Sequence, residues 1–324
     1  MKSNNNLRPY ISSTGSYLPE NIVSNDDLSK KVDTSDEWIF TRTGIKKRHI
    51  AAEGELTSDL AQKACEDLFK NSKLQPEDIE LIIIATTSPD LTFPSTATIL
   101  QQKINANNAF AFDVQAVCSG FVYALSVADS YITSGKVKNV LVVGAETLSR
   151  IVDWKDRNTC VLFGDGAGAV LLEATCENDR GILSSKLKSD GQLVDILKTN
   201  GGPSLSQSAG HIEMAGREVF KHAVSKMSEV VLESLEMADV EIADIDLLIP
   251  HQANIRILES VAKKLNLRED QVVKTVADHA NTSAASIPLA LDVAVKNNRL
   301  NKGDLVVLEA LGGGLTWGSI VLKW

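Results

Sequence analysis

Long apolar runs, closely spaced cysteines and an excess of basic charge are all missing from this sequence. The longest apolar runs, "LIIIA" at 81–85 and "VLVVGA" at 140–145, have strand length and fall well short of the roughly 18 to 20 residues that a membrane span requires. A soluble protein is predicted. The four cysteines, Cys65, Cys118, Cys160 and Cys176, form no C-x-x-C pair, and the first twenty residues show no secretory leader; both point to a reducing, cytoplasmic setting. With 324 residues the chain buries enough core to need no disulfide staples. Its 33 basic side chains are outnumbered by 42 acidic ones, giving a net charge of −9. That balance argues against a nucleic-acid binder built on phosphate contacts, while leaving room for a local basic patch facing an acidic partner.

What is present is α/β patterning. Short runs rich in Val, Ile and Leu occur at 79–88, 139–146, 167–174, 245–252 and 304–311. They do not alternate polar and apolar residues, which predicts strands covered on both faces. Amphipathic helical segments lie between them at 57–73, 119–135, 217–238 and 254–266, with Thr57 or Ser58 expected to cap the first and Gly135 to end the second in a left-handed conformation. The chain also echoes itself. "QPEDIELIIIA" resembles "EIADIDLLIPH", placing Ile79 and Ile245 166 residues apart, and "KVKNVLVVGAE" resembles "NKGDLVVLEAL", placing Val140 and Leu305 165 apart. Two such nearly equal offsets predict two similar halves, 1–175 and 176–324, joined through a polar, Gly- and Ser-rich hairpin or lobe at 186–216.

Cys118, in "AVCSGFVYAL", stands directly before a helix, where unpaired N–H groups and the helix dipole favour thiolate. Its pKa is therefore expected below the roughly 8.5 of a free cysteine. Cys65 and Cys160 read as buried residues of a helix and a strand, and Cys176 as a bystander. Shifting by the repeat offset puts Asn281 at position 115, three residues from Cys118, and His251 ends a strand at the carboxyl edge of a sheet, where ligands of α/β folds bind. His279 is a rival to His251. Cysteine, histidine and asparagine together suit acyl transfer through a thioester, with neutral imidazole and carboxamide donating to an enolate oxygen. The glycine run at 312–314 lets backbone N–H groups approach a reacting oxygen, although a tight turn would also explain it. "FGDGAGAVLLE" contains G-x-G-x-x-A but leads into a strand, so it is not a dinucleotide site.

"DEWIFTRTGI", "DVQAVCSGFVYAL", "DRNTCVLFGDGAGAVLLE", "PHQANIRIL", "HANTSAASIPLAL" and "GGGLTWGS" together resemble the β-ketoacyl-acyl-carrier-protein synthase III family, from about residue 10 to the C-terminus. The resemblance implies a five-layered α-β-α-β-α thiolase fold, a homodimer, and the initiating condensation of an acyl-CoA, most commonly acetyl-CoA, with malonyl-acyl-carrier protein in type II fatty-acid synthesis. No metal or redox cofactor is implied. It further implies Cys118 as nucleophile, His251 and Asn281 as enolate stabilisers, and the N–H groups of Cys118 and Gly313 as an oxyanion hole. Trp38, Arg42 and Arg157 would bind CoA, Lys221 and Arg256 would face the carrier protein, and Phe93, reaching across the dimer, would join Leu311 in shaping the primer pocket. Leu311 departs from the phenylalanine common at that point. A related condensing enzyme of secondary metabolism, a cysteine thioester hydrolase and a noncatalytic acyl-CoA-binding protein are the alternative readings.

Overall fold

The computed structural model describes residues 7–324. Thirteen strands appear in chain order: β1 (Arg8–Tyr17), β2 (Asn21–Ser24), β3 (Lys47–Ile50), β4 (Leu81–Ala85), β5 (Phe110–Val114), β6 (Asn139–Glu146), β7 (Gly166–Thr175), β8 (Gly181–Ser189), β9 (Leu197–Thr199), β10 (Ile212–Met214), β11 (Leu247–Pro250), β12 (Leu305–Gly312) and β13 (Thr316–Lys323). The helices are α1 (Asn25–Ser29), α2 (Asp36–Thr43), α3 (Thr57–Asn71), α4 (Thr96–Lys103), α5 (Gly120–Thr133), α6 (Gly216–Ala238), α7 (Ile255–Lys264), α8 (Val276–His279) and α9 (Ser286–Lys296).

Two sheets dominate, with strand orders β5-β4-β6-β7-β1 and β11-β12-β13-β8. They are wired alike: β4 runs parallel to β6 as β11 does to β12, and β6–β7–β1 are antiparallel neighbours as β12–β13–β8 are. At the position where the first sheet carries β5, the second has a lone bridge from Leu248 to Val272. The continuous apolar runs follow from burial on both faces. Along β4 and β6, Leu81, Ile83, Val140 and Val142 point to a central layer made by α5 and α9, whereas Ile82, Ile84, Leu141 and Val143 point outward to α3 and α4. In β12, Val306 and Leu308 face the same central layer, while Val307 and Leu311 face α6 and α7. The layers are therefore α-β-α-β-α, as the family resemblance implied.

The repeat offset extends to the backbone. A 3-10 turn, Val117–Ser119, leads into α5, and a second, Ser283–Ala285, leads into α9, 166 residues later. Each begins on a residue with positive φ, +50° at Val117 and +48° at Ser283. For a β-branched valine this region is strained, by roughly 1–3 kcal/mol.

Three expectations need correction. The cap of α3 is Leu56, whose N–H bonds the Asp59 carboxylate at 2.8 Å, so a reciprocating carboxylate stands where a Thr57 or Ser58 hydroxyl was expected. Cys160 lies in a turn rather than a strand, buried among Val161, Phe163 and Ile39. The 186–216 stretch starts inside β8, a member of the second sheet, and only its remainder forms the predicted hairpin, β9 with β10. Gly135 does take the left-handed conformation, with φ +70°.

Candidate active site

The strained turn at Val117 presents Cys118 at the head of α5, on the carboxyl side of β5. Gly312, the last residue of β12, closes against it from the other half. A Cβ added at Gly312 would lie 2.7 Å from the Cys118 nitrogen, 2.9 Å from the Ala116 oxygen and 3.0 Å from the Ser119 nitrogen. All three are backbone atoms and cannot swing aside. Gly312→Ala is expected to lower Tm and to slow acylation of Cys118 by about 100-fold, because the turn must move by a large fraction of an ångström. A melt and an acylation rate equal to the unsubstituted protein would refute this account of the turn.

His251 follows β11 directly, and its N–H donates to the Glu309 carbonyl of β12 at 2.8 Å. Its Nδ1 lies 2.6 Å from Ser286 Oγ, and that oxygen also accepts from the Gln252 N–H at 3.3 Å. Ser286 has one hydroxyl proton and, among the described residues, no other acceptor for it than Nδ1. The imidazole is thus the Nε2–H tautomer, a donor on its free side. Burial pushes the His251 pKa down to about 3, so the ring is neutral at physiological pH.

Asn281 is held by its backbone between Leu162 and Gly164: its N–H donates to the Leu162 carbonyl at 2.9 Å and its carbonyl accepts from the Gly164 N–H at 3.0 Å. Its side-chain Oδ1 accepts from the Ser283 N–H at 2.9 Å. With the oxygen so occupied, the amide group turns its Nδ2 hydrogens outward as donors. His279 is not part of this arrangement; it belongs to α8, half-buried, and burial pushes it down to about 4.

Cys118, His251, Asn281 and Leu311 all line one cavity of about 740 Å³, together with Trp38, Arg42 and Arg256. Around its mouth the Arg42 and Arg157 guanidiniums sit 4.5 and 5.2 Å from the centroid of the Trp38 ring, and Arg157 also donates to the Asp33 carbonyl at 2.7 Å. Lys221 is exposed on α6, one residue from Phe220, which lines the cavity and lies under Arg256 at 5.6 Å. Gly313 follows β12 next to Gly312. Phe93 is 84 % exposed and is not among the residues lining this cavity.

The thiol departs from its expected electrostatics. Burial pushes Cys118 up to about 12, with the charge of Glu146 adding to the rise and the nearby Ser283 hydroxyl opposing it. The expected depression below 8.5 considered only the helix N-terminus; desolvation of the buried sulfur outweighs it.

Sequence reasoning missed several residues here. Ser286, which sets the His251 tautomer, is one turn into the "NTSAAS" segment, and Arg217, at the cavity mouth, is an ordinary-looking helix-start charge. Glu309 is the least expected. It is fully buried, both carboxyl oxygens lack a partner among the described residues, and burial pushes its pKa from 4.5 up to about 8. The folded protein therefore holds a proton at neutral pH that the unfolded chain has released. Its contribution to stability is complete below pH 4.5 and is lost as pH rises towards 8. Denaturation at pH 5 and pH 8 should show Glu309→Gln gaining stability relative to the unsubstituted protein across that interval; parallel curves would contradict it.

Among the described residues no cluster of three or more His, Cys, Asp or Glu side chains is arranged to hold a metal ion, and no helix is long and apolar enough to cross a membrane. The family model for 3-oxoacyl-[acyl-carrier-protein] synthase III matches residues 112–191, and the model for its C-terminal part matches 235–324. The chain belongs to the synthase III family. Relatives agree across nearly the whole length: a β-ketoacyl-[acyl-carrier-protein] synthase III of Paramagnetospirillum magneticum is 56 % identical over 98 % of this chain and 99 % of its own. One from Wolbachia pipientis wMel is 57 % identical with the same coverage. The crystal structure of 3-oxoacyl-[acyl-carrier-protein] synthase III from Aquifex aeolicus VF5 superposes with a TM-score of 0.93 at 49 % identity, covering 98 % of this chain and 100 % of the other. The chain is accordingly a thiolase-fold, acyl-transferring condensing enzyme of fatty-acid initiation.

Proposed function

We propose that the chain joins an acyl-CoA primer, acetyl-CoA in the simplest case, to malonyl-acyl-carrier protein. Cys118 Sγ attacks the primer thioester, the N–H groups of Cys118 and Gly313 hold the tetrahedral oxyanion, and CoA leaves with the proton from the thiol. The malonyl unit then loses carbon dioxide. The electron pair of the broken C–C bond passes to the α-carbon and onto the thioester oxygen, which accepts from His251 Nε2–H and Asn281 Nδ2–H. The α-carbon attacks the acyl carbonyl, and collapse expels the Cys118 thiolate, giving 3-oxoacyl-acyl-carrier protein; a proton from solvent then restores the thiol for the next turnover. Thiol, imidazole and amides carry every step, so the scheme uses no metal or redox cofactor.

One observation carries this reading: a nucleophile from one sheet's elbow and two oriented donors from the other half line the same buried cavity. Trp38, Arg42 and Arg157 offer an aromatic face and two guanidiniums to the nucleotide of CoA, while Lys221 and Arg256 offer positive charge to an acidic carrier protein. The exposure of Phe93 supports a homodimer in which it enters the partner's primer pocket beside the partner copy of Leu311. The two halves, 1–175 and 176–324, would then supply complementary parts of one site, in a cytoplasmic enzyme. Purified protein incubated with radiolabelled acetyl-CoA tests the scheme. Label on Cys118, passing to a 3-oxoacyl product when malonyl-acyl-carrier protein is added, is expected; steady release of acetate instead would mean a hydrolase.

A further inference from the structure

Among the described residues the largest fully buried side chain is not apolar but that of Arg48, on β3, with no exposed surface at all. Among the described residues no carboxylate pairs with it and its Nε has no partner. Burial lowers its pKa to about 10, which still leaves it charged at neutral pH. An unpaired buried charge is expensive, so what its hydrogen bonds accomplish matters. There are two. Nη1 donates to the Val23 carbonyl of β2 at 3.1 Å, and Nη2 donates to the Val161 carbonyl at 2.9 Å.

Val161, Leu162 and Phe163 form a wall of the catalytic cavity. The carbonyl after the one Arg48 grips, that of Leu162, receives the Asn281 N–H, and Gly164 completes the clasp. The same strand and the residue before it reach the clasp by their backbone: the His49 carbonyl of β3 accepts from the Asp165 N–H at 2.8 Å, and the N–H of Lys46, just before β3, donates to the Ala277 carbonyl in α8 at 2.9 Å, four residues before Asn281. In this wall, residues 159–162 are turns, Phe163 bridges to Asn281, and the Asp165 carboxylate at its far end accepts from the Ala51 N–H, the Ser149 N–H and the Ser149 hydroxyl. A side chain that donates into it from behind fixes its depth.

We infer that Arg48 is a positioning residue for the condensation: by holding the Val161 carbonyl it sets the height of the 161–164 wall, and through it the direction in which Asn281 presents its amide. This inference rests on the role given to Asn281 above. It concerns only the second half-reaction, because Cys118 and its turn stand on other elements. A shift of about 1 Å at a catalytic group costs on the order of 100-fold in rate, so Arg48→Met is expected to cut kcat for condensation, at saturating malonyl-acyl-carrier protein, by roughly 10- to 100-fold. Acylation of Cys118 by labelled acetyl-CoA should stay within about twofold. Arg48→Lys keeps the charge and one donor, and should restore part of the condensation rate. It also decides the matter if the methionine variant does not fold. Equal losses in both half-reactions, or normal condensation by a folded variant, would overturn the inference. Failure of the unsubstituted protein to acylate or condense would overturn the proposed function instead.

Discussion

Replacing Cys118 by alanine abolishes transfer of label from acyl-CoA to the protein and stops condensation, a loss expected to exceed about 10⁴-fold. The alanine fits, since the equivalent position of the second turn, Ala284, is already alanine in the same backbone conformation. A melt should therefore be near normal, separating lost chemistry from lost structure. The pH profile of acylation in the unsubstituted enzyme carries more information. Two effects oppose each other on this thiol, the head of α5 favouring thiolate and burial favouring thiol, and burial prevails, placing the pKa at about 12. The acylation rate should rise with pH and still be rising at pH 9, close to tenfold per unit where chemistry limits. A plateau near pH 7 would mean that the helix end governs. Condensation in the preformed acyl-enzyme should lack this rise, and it should show no step from His251 changing charge down to about pH 4, because the ring stays neutral above about 3.

The second large effect separates the half-reactions. His251→Ala or Asn281→Ala leaves acylation of Cys118 within a few-fold and lowers decarboxylation of malonyl-acyl-carrier protein by roughly 100- to 1000-fold, the usual consequence of deleting one donor to a developing oxyanion. The double variant should lose less than the product of the single losses if both donors hold the same oxygen. Ser286→Ala offers a subtler control. Without its hydroxyl the Nδ1 atom loses its partner, the tautomer is no longer fixed, and decarboxylation should fall by a smaller factor than with His251→Ala. Normal decarboxylation by either alanine variant at 251 or 281 would remove these residues from the mechanism.

Much of this was legible in the sequence because doubly covered strands announce themselves: β6 was read with the bounds the structure gives it, 139–146. The offset between "IELIIIA" and "IDLLIPH" reappears in the paired sheets and in two turns that start on a positive-φ residue, even though Val117 and Ser283 differ in chemistry. What escaped depends on distance in the chain. The cap of α3 went to Leu56 because Asp59 answers its N–H, a reciprocal contact that hydroxyl preference does not reveal. The thiol's electrostatics were misjudged because a helix start is visible in sequence and burial depth is not. Arg48 sits in "KKRHI", which reads as a charged surface strand until the wall of a remote loop is seen lying across it. Glu309 hides in a run of aliphatic residues, where nothing local distinguishes a buried carboxyl from a solvated one.

The matched turns have diverged in cargo. Where one bears sulfur at 118, its counterpart bears a methyl group at 284, and where the second lobe supplies imidazole at 251, the first has only Ala85. Gene duplication followed by division of labour would leave this pattern. On the roles proposed above, neither half, expressed as a fragment, would contain a working apparatus, and activity in a split version should reappear only on reassociation, scaling with the product of the two fragment concentrations until they saturate.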